Sequence, residues 1–403
     1  MEMILALLTL IWGNLTGSHP DLTFDQFVQA ALEAEKPIVQ NVGGGEKPPA
    51  NNGDQSQPGD KLTPVNKTDP QPDAPKVMGI YATAHSAGGA RMNTLLKLLD
   101  DTDLNAVVVD IKDDWGYITY ETGNPELDAW GTTQKIIPDI GKLMSSMKEH
   151  DVYPIARIVV FKDTVLAKMK PELSFLNPDG TLWGNGKNPP DSFVNPYSKE
   201  VWDYNITVAK EAAKAGFKEI QFDYVRFPEG FEKRADTLQY TKDERTRIEA
   251  VAEFVKYARE QLSPLGVRVS VDIFGYAASV PAAEGIGQDF NAISQNVDVI
   301  APMIYPSHYS TGWFGAKVPD AEPYKTIAGA IVDTHKKLEP IGGLKPVIRP
   351  WIQDFTASWV QGYIKYGKHE VEEQIKALKD NGVDEFLLWN AGNSYTQGVD
   401  YTP

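Results

Sequence analysis

A chain of 403 residues with 42% hydrophobic content is long enough to bury a large core and too long to be one small domain. Its net charge of -16, from 55 acidic against 39 basic residues, excludes a broad nucleic-acid-binding face, which needs basic side chains to neutralise phosphates. With no cysteine, and with six histidines but no HxH or HExxH spacing, disulfides, thiolate zinc sites, iron–sulfur clusters and cysteine nucleophiles are excluded and no metal or other cofactor is expected.

The chain starts MEMILALLTLIWGNLTGSHP, with an apolar run from Ile4 to Trp12 of signal-peptide core length, short for a bilayer span. It lacks a positive leading segment and a small-x-small cleavage site. Two readings follow: a worn or mis-started export signal, which would act as an N-terminal membrane tether if retained, or an apolar helix docked on the domain. In LTFDQFVQAALEAEK, Phe24, Phe27, Ala31 and Leu32 recur at helical spacing, so residues 1–40 read as an apolar segment plus a short helix. Residues 41–76 are rich in Gly, Pro, Asn, Asp and Gln. They cannot bury enough apolar surface to offset their ordering entropy, and read as a disordered linker.

From residue 77 to 403 apolar, β-branched runs alternate with helical periodicities. The predicted strands are 77–83, 105–112, 152–161, 219–227, 268–275, 297–305, 346–352 and 385–391. Near-continuous apolar strands are buried on both faces, as in a parallel sheet covered by helices. Between them, Ile248, Val251, Val255, Ala258 and Leu262 share one helical face, and Val371, Ile375 and Leu378 another, with Gly382 suited to a helix stop. Eight strands, each followed by a crossover, predict a (β/α)8 TIM barrel. The rival is an open doubly wound sheet, but no glycine-rich phosphate turn follows the first strand.

In such a barrel chemistry gathers at the C-terminal strand ends. Those ends carry Asp110, Lys112, Asp113, Asp114 and Trp115 after strand two and Arg157 on strand three. Asp223 and Arg226 end strand four, and Asp272 ends strand five. Strands six to eight bring Tyr305, His308, Asp354, Trp389 and Asn390. Period-two alternation puts Asp223 and Asp272, in QFD and SVD on adjacent strands, on the interior face. Two carboxyl groups are the requirement for breaking a glycosidic bond, one protonating the leaving oxygen and the other attacking or activating water. Arg226 is expected to hold one of them ionised. Each acid also has a plainer reading, as a helix cap or a surface ion pair, and this competes most strongly for Asp354 and Asp110.

Aromatic residues near the same ends suit sugar rings, whose C–H faces stack on them. Trp115 and Trp183 are expected on a binding surface, Trp183 because its segment PDGTLWGNGKNPPDSF has nothing obvious to bury it. Trp351 and Trp389, inside strands, read first as core. The segment 162–198 exceeds an ordinary loop and predicts a lid or subsite wall.

Taken in order, GIYATAHSAGG, NAVVVDIKDDWG, FVNPYSKEVWDYN, EIQFDYVRFPEG, SVDIFGYA and APMIYPSHY resemble the glycoside hydrolase-like DUF4015 family of bacterial proteins, over about Val77 to Asn390. The resemblance implies a TIM barrel related to α-amylase-like and α-galactosidase-like hydrolases. It also implies a nucleophilic aspartate after strand four, at Asp223. Where the amylase-like group has a glutamate acid after strand five, this chain has Asp272, and Asp354 and Asp110 stay open as alternatives. The expected activity is hydrolysis of a polysaccharide or oligosaccharide outside the cell or at its surface. The competing expectation is a barrel that binds glycan without cleaving it. The sequence does not specify oligomeric state.

Overall fold

The computed structural model describes residues 68–402, so the apolar N-terminal segment, the short helix after it and the linker up to residue 67 lie outside the described residues. The strands are β1 (Met78–Ala82), β2 (Ala106–Lys112), β3 (Tyr153–Val159), β4 (Glu219–Asp223), β5 (Arg268–Phe274), β6 (Val299–Met303), β7 (Val347–Ile348), β8 (Trp351–Gln353) and β9 (Phe386–Trp389). All pair in parallel, and β5 pairs with β6 as well as β4, so the sheet closes. The nine segments make eight staves. β7 and β8 are halves of one stave, interrupted where Pro350 has no N–H to give the ladder; pairing to β6 resumes at Trp351. The fold is the (β/α)8 barrel predicted from the strand count.

The helices around it include α1 (Arg91–Asp100), α2 (Ile140–Glu149), α3 (Lys199–Ala215), α4 (Arg247–Leu262), α5 (Phe290–Ser294), α6 (Pro323–Leu338) and α7 (Lys368–Asp380), with shorter turns of helix such as Thr164–Met169 in the connections. Their ends follow local chemistry. Thr246 and Glu249 form a reciprocal capping box on α4, while Ser198 caps α3 and Gly216, at φ 114°, stops it. The faces predicted for α4 and α7 are buried against the barrel.

Alternation along the strands sorts side chains into two cores. Outward residues such as Val107, Val109, Ile158 and Phe222 pack with the helices. Inward residues, among them Val108, Ile155, Ala301, Trp351 and Leu387, fill the barrel. At the N-terminal end the interior is closed by charge. Arg349, fully buried, donates to both carboxylate oxygens of Glu219 at 2.8 and 2.9 Å and to Glu385 at 2.8 Å. Residues 68–74, the end of the segment read as linker, lie across this face. There Arg268 donates to Asp69 at 3.0 and 2.5 Å, and Gln71 Nε2 donates to the Lys218 and Gly266 carbonyls at 2.5 and 2.8 Å.

Two local features redirect side chains predicted for the mouth. The β2–β3 register shifts between Asp110 and Lys112, so the strand carries an extra residue there. Asp110 faces inward, but Lys112 turns toward the helices. Fully buried, it pairs with Asp163 at 2.6 Å and donates to the Val159 carbonyl at 2.6 Å. The long segment after β3 folds back through bridges Lys162–Phe193, Ser174–Val194 and Leu176–Leu182. Its aromatic residues extend the outer core, packing with Phe227, Phe231 and Tyr240. Trp183 belongs to that core, 5% exposed and edge-on to Phe175 at 6.4 Å, so it is not the surface platform expected of it.

Candidate active site

Asp223 is the last residue of β4 and Asp272 lies on β5. The ladder pairs Phe222 with Val271, so the next step brings the two aspartates level on adjacent strands, whose spacing is about 4.8 Å. Both face the interior at its C-terminal end, above Gln221 and Ser270, and both are buried.

Their surroundings differ. Asp223 Oδ2 accepts from Arg157 Nε at 3.0 Å and Nη2 at 2.6 Å, and its Oδ1 accepts from the Tyr224 backbone N–H at 2.6 Å. Two guanidinium N–H groups on one carboxylate are charge-assisted bonds of the stronger kind. Asp272 has one donor, Trp351 Nε1 at 2.7 Å. Burial drives its carboxyl well above the usual range, and the negative charge of Asp223 adds to that shift.

Arg157 also binds a second pair of acids through Nη1, Asp110 at 2.7 Å and Asp114 at 3.1 Å. Burial pushes Asp110 up to about 6 against the pull of Arg157, and Tyr81 donates its hydroxyl to the same carboxyl at 2.5 Å. At Asp114 the upward push of burial is outweighed by Arg157 and by Lys162, 3.3 Å away, and the carboxyl lies below its ordinary range. Tyr305 is buried close to both central acids. Its phenol is pushed up first by burial, then by the charges of Asp272 and Asp223. Trp389 stacks on Tyr81 at 4.3 Å, and the Arg157 guanidinium lies 5.8 Å from each ring.

The structure therefore gathers Asp110, Arg157, Asp223, Asp272, Tyr305 and Trp389. Arg226 is not the partner of Asp223: it donates to Glu229 at 3.2 Å and to the Phe227 carbonyl at 3.1 Å, over the rings of Tyr224 and Phe274. The intervening Tyr224 adopts φ 51°, a left-handed conformation that ends the strand alternation before Arg226. Asp354 is held by Thr396, whose N–H and hydroxyl donate to it at 2.9 and 2.5 Å. Asn390 donates to the Asp354 and Ser394 carbonyls, bracing the turn after β9. His308 lies on the rim, its Nδ1 3.0 Å from the Ser307 hydroxyl and its ring 5.2 Å from that of Tyr305. Trp115, 41% exposed, lines a cleft of about 560 Å³ with Tyr117, His85, Gln134, Lys168 and Met169; this cleft does not include the central acids.

Asp114, expected only as part of the end of strand two, joins the cluster, and Tyr81 and the indole N–H of Trp351 complete it without having been singled out for it. For Tyr81 the signal was present, since strand alternation in MGIYA puts it on the inward face. Among the described residues, no group of three or more His, Asp or Glu is placed to hold a metal ion.

A hypothetical protein from Ruminiclostridium thermocellum is 36% identical to this chain, covering 48% of it and 96% of that protein, with a TM-score of 0.43. The glycoside hydrolase domain of PgaB (BpsB) from Bordetella bronchiseptica is 14% identical over 79% of this chain and 95% of its own, with a TM-score of 0.54, and shares the barrel fold. An α-galactosidase from Thermus thermophilus is 11% identical over 81% of this chain and 60% of its own, with a TM-score of 0.49. No curated protein matches the sequence. Residues 79–395, nearly the whole barrel, match the family model described as "Putative glycosyl hydrolase domain", and the chain belongs to that family, DUF4015.

Proposed function

We propose that this protein hydrolyses an O-glycosidic bond of a polysaccharide, with Asp223 as nucleophile or base and Asp272 as general acid. The reading is carried by the contrast between the two aspartates. Asp223 receives two guanidinium bonds from Arg157, which suit a carboxylate. Asp272, buried with a single indole donor, favours the neutral acid. Paired carboxyl groups in such unlike surroundings divide the work of glycoside cleavage: one gives a proton to the leaving oxygen while the other attacks the anomeric carbon or activates water. Tyr305 and Trp389 beside them offer ring faces to the sugar, and Arg157 holds Asp110 and Asp223 in fixed relation. An extracellular or cell-surface setting fits the apolar run and linker at the N-terminus. Among the described residues no helix is long and apolar enough to cross a membrane.

One observation favours binding without cleavage: Asp223 and Asp272 are 6% and 2% exposed, leaving a narrow approach to their oxygens. The discriminating experiment incubates the protein, Asp223→Asn and Asp272→Asn with a panel of polysaccharides. Hydrolysis predicts reducing-end release by the wild type, reduced about a thousandfold or more in Asp223→Asn with affinity retained. Equal binding by all three proteins with no product release supports the binding barrel instead.

A further inference from the structure

A row of aromatic rings leaves the mouth along the loop after β8. Trp389 lies 6.4 Å from Tyr305, Tyr305 lies 6.1 Å from Phe355, and Phe355 stacks on Trp359 at 6.0 Å with an 18° interplanar angle. Exposure rises from Tyr305 outward: Tyr305 is 7% exposed, Phe355 is half-buried, and Trp359 is 69% exposed. Trp359 is thus among the most exposed large apolar side chains of the described residues, yet it is continuous with the buried acids.

The loop that presents it is built from inside. Asp320, itself buried, accepts from Gln353 Nε2 at 3.0 Å, and its carbonyl accepts from the Tyr366 hydroxyl at 3.0 Å. Gln353 also donates to the Phe355 carbonyl at 3.0 Å, and the Tyr366 N–H donates to Thr356 Oγ1 at 3.1 Å. These bonds fix both ends of the segment 355–366. A large indole held out in water by a loop anchored in this way is a preorganised contact surface, with little ordering left to be done when a ligand arrives.

We infer that Phe355 and Trp359 form a shelf for sugar units remote from the scissile bond, so that the substrate is an extended chain of pyranose units rather than a small glycoside. This rests on the hydrolase reading and names its substrate class. The occupant follows from the shape and continuity of the row. Flat rings at sugar-scale spacing, beginning at the acids, match the repeating C–H faces of one polymer strand. A compact ligand held at Asp223 would leave Trp359 uncovered.

The test uses the full chain carrying Asp223→Asn, with and without Trp359→Ala or Trp359→Phe. The probes are oligomers of two to eight units of α-1,4-glucan, β-1,4-linked N-acetylglucosamine and β-1,4-linked glucosamine, followed by titration calorimetry and tryptophan fluorescence. The expected result is affinity that rises with length in at least one series. Trp359→Ala removes that rise, about tenfold for the longest oligomer, Trp359→Phe restores most of it, and disaccharide binding is unchanged. A length-dependent gain that Trp359→Ala leaves intact overturns the shelf while the hydrolase reading stands. Failure of every oligomer to bind overturns both. Sedimentation of the same proteins supplies the remaining outcome: a dimer that Trp359→Ala converts to monomer makes this face an interface between copies, and the inference is wrong.

Discussion

Arg157 is one cation shared among Asp110, Asp114 and Asp223, and the acid with the least favourable position sets a pH dependence on the fold. Asp110 is buried and pushed up to about 6, from an ordinary value of 3.8. Between those values the folded chain holds a proton at Asp110 that the unfolded chain has released. Stability therefore falls as pH rises across that window, by about 3 kcal/mol at most. Asp110→Asn removes the titration while leaving a carbonyl oxygen for the Tyr81 hydroxyl. Urea unfolding at intervals from about pH 4 to 7 is expected to show a descending limb in the wild type that is flatter in Asp110→Asn. Identical slopes would mean that Arg157 keeps Asp110 ionised throughout.

Elements were more legible in the sequence than the directions of individual side chains. Apolar strand runs and three- and four-residue helix spacings are dictated by burial alone, so eight staves, the faces of α4 and α7 and the inward aspartates could be read in advance. The β2 bulge could not, because one extra residue leaves composition and apolar pattern unchanged while reversing Lys112. For the same reason Arg226 was assigned the bond that Arg157 makes: the left-handed turn at Tyr224 is visible only in the backbone. Trp183 was misplaced because its burial depends on Phe175, Phe193 and a distant segment rather than on its polar neighbours in sequence. The bulge can be tested through its ion pair. Lys112→Met keeps the side-chain volume but leaves Asp163, which caps the helix Thr164–Met169, buried without its cation. Expected is a loss of about 3–5 kcal/mol in chemical denaturation, with catalytic rate preserved below the unfolding temperature. A rate that falls while stability holds would return Lys112 to the mouth.

Across the whole molecule the two ends of the barrel carry opposite electrostatic logic. At the C-terminal end carboxyl groups outnumber their cationic partners, and Asp110 and Asp272 are displaced upward. At the N-terminal end each carboxylate is in contact with a guanidinium: Arg349 lies between Glu219 and Glu385, and Arg268 reaches across to Asp69 on the crossing segment. At Asp69 burial alone would raise the carboxyl, but the hydrogen bonds and charge of Arg268 prevail and hold it below its ordinary range. Its contribution has the reverse sign to that of Asp110. It is present above the unfolded carboxyl value near 3.9 and is lost as pH falls through the lower folded value. Asp69→Asn in the full chain is therefore expected to cost about 1.5–3 kcal/mol at pH 7, the range for a hydrogen bond to a charged partner, and progressively less as pH falls below the unfolded carboxyl value. Since Asp69 lies at the far end of the barrel from Asp223, hydrolytic rate should be unchanged at temperatures where both proteins are folded. A cost that persists undiminished in acid would show that residues 68–74 are held by their backbone bonds, such as those of Gln71 to Lys218 and Gly266, rather than by the ion pair.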